Sequence, residues 1–167
     1  EASYAGGVES FADSTGQFSR ACGGYINGFS GNTGAIGMGT SQFSMFHVGL
    51  NTTTFGSQVD LDPLYGPTPV SLPQKTAWGI TATLTGVNMT GSLPTDSSYF
   101  TIVAYAHRDL GGVSVFGSTV TSNVTFGAGA GSLPAIVANG NGINVVVTPS
   151  MINTRWNATI QVTSIAL

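Results

Sequence analysis

Two stretches decide the fold: Trp78-Gly-Ile-Thr-Ala-Thr-Leu-Thr-Gly86 and Thr154-Arg-Trp-Asn-Ala-Thr-Ile-Gln-Val162. In the first, Trp78, Ile80, Ala82 and Leu84 alternate with Gly79, Thr81, Thr83 and Thr85. In the second, Trp156, Ala158, Ile160 and Val162 alternate with Arg155, Asn157, Thr159, Gln161 and Thr163. Successive side chains of a strand point to opposite faces, so a period of two gives one apolar and one polar face. Trp78, Ile80, Leu84, Trp156, Ile160 and Val162 are therefore expected in a structural core and not in a ligand site. The polar faces carry Thr, Asn and Gln, not Lys and Glu. Exposed sheet faces and edges are normally guarded by charge, yet none occurs between Asp109 and Arg155. We read that absence as a surface meant to associate.

The same period spreads along the chain. Ser44 to Leu50 and Ser57 to Leu61 read as short strands, separated by Thr52, Thr53 and Thr54. Prolines at 63, 67, 69 and 73 mark a turn-rich crossing, since proline cannot donate to a ladder. Tyr99 to His107 is apolar on both faces, as expected of a strand covered on both sides. Val113 to Phe126 holds one or two more strands. Ile136-Val-Ala138 and Ile143 to Thr148 flank Asn139-Gly-Asn-Gly142, a hairpin whose Asn-Gly supplies the positive φ of a tight turn. No helix of ordinary length is legible. The expectation is all-β: one antiparallel, jelly-roll-like β-sandwich of about eight to ten strands over residues 41–167. Residues 1–40 differ. Ten glycines interspersed with Tyr4, Phe11, Phe18, Tyr25 and Phe29 show no lasting period. They read as an extended, Gly-rich N-terminal arm that docks on something, a neighbouring subunit being one choice.

Composition removes several classes. The 167 residues hold 11 formal charges, 7% against the quarter usual in soluble domains, while Gly, Thr, Ser and Asn supply 73. Four dispersed Lys and Arg cannot build a phosphate-binding surface, so no nucleic-acid partner is expected. Disorder needs high net charge with low hydrophobicity; here the balance is -3 and 41% is hydrophobic. No apolar run approaches the ~20 residues of a membrane-spanning helix. One cysteine, Cys22, excludes an internal disulfide framework. The chain opens at Glu1, as a processed product or a fragment does, with no signal peptide to read.

Chemistry-bearing residues are sparse. His107-Arg108-Asp109 is where ionisable groups cluster, at a strand end before Gly111-Gly112, and reads as a turn with a local ion pair. His47, between Phe46 and Val48, reads as a half-buried structural histidine. Asp60 and Asp62 share a strand face, but two carboxylates fall short of a calcium shell, so no metal is expected. Gly127-Ala-Gly-Ala-Gly131 leads into Ser-Leu-Pro and not into a helix, so it is a loop and no phosphate cradle. Sequons at Asn51, Asn88, Asn123 and Asn157 are close to what this composition yields by chance. No nucleophile, base and orienting group come together, so neither catalytic residues nor cofactors are expected.

The order of Ser44-Met-Phe-His-Val48, the Pro-rich crossing, Leu72-Pro-Gln-Lys-Thr-Ala-Trp78 and Ile80-Thr-Ala-Thr-Leu-Thr-Gly86 forms one pattern. Ala138-Asn-Gly-Asn-Gly-Ile-Asn-Val-Val-Val-Thr148, a short loop and the Thr154-led Trp strand form another. Over roughly residues 40–167 this resembles a β-rich domain of tailed-bacteriophage virion proteins, of the tail-fibre, tail-spike and capsid-decoration type. It departs from that family in carrying only Arg108 and Asp109 as charges between Ser98 and Val113. The resemblance implies a non-enzymatic structural virion protein, usually a homotrimer, with Trp78 and Trp156 as core anchors of facing strands. A short chain of this kind fits a capsid decoration (cement) protein or small fibre subunit at the virion surface. Its partners would be its own copies and the major capsid or tail proteins. The alternatives are a glycan-binding adhesion module for host surface glycans, and a subunit of a self-assembling extracellular filament.

Overall fold

A computed structural model describes residues 4–7, 18–22, 41–63, 70–72 and 74–166, without the side chains of 4–7, 18–22, 41–42, 62–63, 71 and 166. Eleven strands run through the described residues, with no helix: β1 (Tyr4–Gly7), β2 (Phe18–Cys22), β3 (Ser41–Thr52), β4 (Val59–Pro63), β5 (Val70–Ser71), β6 (Thr76–Thr90), β7 (Leu93–Arg108), β8 (Val113–Phe126), β9 (Ala135–Asn139), β10 (Gly142–Val147) and β11 (Thr154–Ala166). The larger sheet has the order β1-β2-β3-β11-β6-β7-β8. In the smaller layer, β10 pairs with β9 along one side and with β4 and β5 along the other, and β4 also pairs with β3, so the two layers are one continuous sheet folded on itself. The fold is all-β, antiparallel and sandwich-like. It differs from expectation in strand count, because β1, β2 and β5 are short segments in Gly- and Pro-rich sequence without a readable period. It differs also in one parallel pair, β1 with β2.

β6, β7 and β8 form a meander, and β11 returns after β9 and β10 to lie beside β6, a Greek-key order. The two Trp strands are therefore neighbours in one sheet, not facing strands. Their register explains the core. Trp156 lies opposite Gly86, Ala158 opposite Leu84, Ile160 opposite Ala82, Val162 opposite Ile80 and Ser164 opposite Trp78. In each of these pairs but Val162 with Ile80, a large side chain meets a small one, so the side chains can interdigitate. Trp156 fills the space over Gly86, where an added Cβ would stand 2.5 Å from its ring. Phe46 stacks on Trp78 at 6.1 Å and Phe100 on Trp156 at 6.4 Å. Trp78, Ile80, Leu84, Trp156, Ile160 and Val162 are all buried, and Leu72, Ile136, Ile143, Val145 and Val147 close the core from the other layer. Each such side chain contributes roughly 1.5–3 kcal/mol by leaving water.

One end of the sandwich is sealed by a buried polar layer. Thr52, Thr154 and Asn88 lie side by side across β3, β11 and β6. Thr154 Oγ1 donates to Asn88 Oδ1 at 2.7 Å, and Thr52 Oγ1 donates to the Thr154 carbonyl at 3.0 Å. Asn88 Nδ2 donates to the Gly129 carbonyl and to Ser150 Oγ, both at 3.1 Å. Ser98 Oγ accepts from the Ala130 amide at 2.8 Å. The loops after β8 and β10 are thus tied to the sheet through side chains, which satisfies their buried backbone groups. Gly127–Gly131 is one of these loops.

Candidate interaction surface

β7 presents Phe100, Ile102, Ala104 and Ala106 to the core and Tyr99, Thr101, Val103, Tyr105 and His107 to the opposite face. The expectation that Tyr99 to His107 is covered on both sides is overturned. The second layer covers only the inner face, so Tyr99, Val103 and Tyr105, with Phe116 opposite on β8, are 38–51% exposed. Tyr105 and Phe116 are cross-strand partners with rings 6.2 Å apart. His107 stacks on Phe116 at 5.4 Å and lies 6.2 Å from Tyr105. An aromatic trio thus stands on the outside of the sheet.

From β3 to β8 the rest of this face is almost free of charge. Its rows run Met45, Gln161, Thr81, Val103, Thr119 and His47, Thr159, Thr83, Thr101, Ser122. Arg155 is the one charged side chain on it among the described residues. His47 is on this exposed face and not half-buried, because its neighbours Phe46 and Val48 take the inward positions. Its Nδ1 lies 3.2 Å from Thr159 Oγ1.

No family model matches the chain. No curated protein matches it. Among solved structures, the tailspike protein of Acinetobacter phage vB_ApiP_P1 matches with a TM-score of 0.41 and 16% identity. The match covers 74% of this chain and 22% of that one, so the chain spans about a fifth of that protein's length.

The ionisable residues expected to cluster have separate tasks. His107 joins the aromatic trio, and Arg108 Nη1 donates to the Leu72 carbonyl, a link between the sheet end and the β5 segment. Asp109 Oδ1 accepts from the amides of Gly111 at 2.6 Å and Gly112 at 3.1 Å, closing the β7–β8 turn. Those two hydrogen bonds hold its carboxyl below the usual carboxylate range. No ion pair among the three is needed to explain their placement. Asp60 Oδ2 accepts from Asn144 Nδ2 at 2.7 Å. The Asp62 and Cys22 side chains lie outside the described residues. No group of three or more His, Cys, Asp or Glu that could hold a metal occurs among the described residues. Of the sequons, Asn51, Asn123 and Asn157 are exposed, whereas Asn88 is buried with both ends of its amide engaged.

The exposed trio and the buried polar layer were not singled out from the sequence. A signal for the first exists: the ring side chains of β7 outside Phe100 all fall on odd positions, while Ile and Ala fall on even ones.

Proposed function

We propose that this chain is a non-enzymatic structural component of a tailed-phage virion that assembles with its own copies. It would serve as a capsid decoration protein or small fibre subunit, most simply a trimer, displayed on the particle. One observation carries the self-association: a sheet face several strands wide with Arg155 as its single charge among the described residues. Such a face has no electrostatic guard against another copy. The resemblance of the two Trp strands to phage virion domains supplies the setting. Within the N-terminal residues 1–40, β1 and β2 join this chain's own sheet through β3, and we assign the residues outside those two strands to contacting neighbours. Sedimentation tests this directly: the full chain should run as an oligomer at micromolar concentration, and a stable monomer would overturn it. Immunolabelling of intact particles should place it on the virion.

A second reading has a specific observation behind it. Tyr105, His107 and Phe116 form an exposed aromatic platform beside Ser114 and Thr119, a combination that stacks on and hydrogen-bonds to sugars. Glycan-array binding that disappears in Phe116→Ala would favour an adhesion module; an empty array would remove that reading.

A further inference from the structure

The register places the β3–β4, β6–β7, β8–β9 and β10–β11 connections at one end of the sandwich. Backbone hydrogen bonds join three of them: Gly56 donates to the Pro149 carbonyl at 3.0 Å, Ser132 to Thr148 at 3.1 Å and Ser150 to Ala130 at 3.0 Å. The buried polar layer of Thr52, Asn88 and Thr154 lies directly beneath and holds this end rigid. Loop residues 53–58, 91–92, 127–134 and 148–153 contain no charged residue, and Asp96, near the start of β7, accepts from the Ala128 amide at 2.9 Å. They display Phe55, Leu133, Met151 and Ile152, and with Leu93 at the start of β7 and Phe126 at the end of β8 these are 39% to 72% exposed. The opposite end carries Lys75, Arg108 and Asp109.

We infer that this rigid, largely apolar loop end is the surface on which a second copy of the chain docks. The inference rests on the self-association proposed above and moves the contact from the sheet face, whose exposed rows are largely Thr, Ser and Gln, to the loop end, whose exposed side chains are apolar. The area argues for it. Six side chains at these exposures leave roughly 600 Å² of apolar surface open, at the top of what monomers usually show. A standard interface takes about 800 Å² from each partner, a little over half of it apolar, so this end suffices for one. Its scarcity of charge favours a copy of itself: the loops carry none, and the Asp96 carboxylate beside them is engaged by the Ala128 amide, so little ionic repulsion opposes its own kind.

The test is light scattering on the full chain and on Leu133→Lys/Ile152→Lys, with Tyr105→Lys on the sheet face as comparison and thermal melts as a check of folding. The loop-end variant should weaken association at least tenfold, while Tyr105→Lys should leave it unchanged. Association lost in Tyr105→Lys but kept in the loop-end variant overturns the docking surface and leaves self-association standing. A monomeric wild type overturns both. Hydrogen exchange of the wild type needs no variant: raising concentration should protect amides in residues 127–134 and 148–153. Protection confined to β7 and β8 would overturn the inference.

Discussion

Gly86 shows how a single atom can matter in this core. It has no side chain because the Trp156 ring occupies the place where a Cβ would stand, at 2.5 Å to 2.7 Å from three ring carbons. The ring is held on its other side by Gly131, whose Cβ would meet it at 3.2 Å. Gly86→Ala should therefore cost roughly 1–3 kcal/mol by overpacking, seen as a lower melting temperature. Gly79→Ala, on the open face with nothing nearer than the Thr163 carbonyl at 4.0 Å, should be neutral or slightly stabilising. Asp109 gives a pH prediction. Its folded carboxyl titrates below the unfolded value because two turn amides donate to it. The stability it adds is present above the unfolded carboxylate range, near pH 4, and is lost as pH falls through the lower folded value. Asp109→Asn should remove that part of the acid dependence, measured by denaturant melts across acidic pH.

At the scale of elements, β6 and β11 were legible because Trp, Ile, Ala, Leu and Val recur at every second residue and Thr fills the gaps. The β9–β10 hairpin was legible too, with one adjustment. Asn139 pairs with Gly142, so the turn centres on Gly140, at φ 57°, and Asn141. Glycine takes the first central position, as a type II′ turn requires. The role of β7 was not legible. Apolar residues on both faces suit a doubly covered strand and equally one whose outer face awaits a partner; only the extent of the second layer distinguishes them. Asn88 was invisible for a similar reason, since a lone Asn in a strand announces nothing until loops from residues 129 and 150 arrive at its amide. Asn88→Ala should cost about 2–4 kcal/mol through unpaired buried partners. It should also speed amide exchange in the β8–β9 and β10–β11 loops more than in β6.

Among the described residues of the molecule, Lys75, Arg108 and Asp109 gather at one end, while the loops at the other carry no charge of their own and have only Asp96 and Arg155 beside them. Association through such surfaces depends on apolar burial, which salt does not screen. The oligomer should persist as sodium chloride rises and tighten in sulfate, as sedimentation at increasing salt would show; dissolution by moderate sodium chloride would point to ionic contacts. The sequence by itself determined that the chain is β-structured and which side chains of the Trp strands face inward, because periodicity and residue volume are local properties. Scarcity of charge was likewise written in the composition. The tertiary structure decided where that scarcity is displayed: on one sheet face and one end. Strand order, register and the reach of the second layer arise from residues far apart in the chain, and burial is a property of that assembly, not of any segment alone.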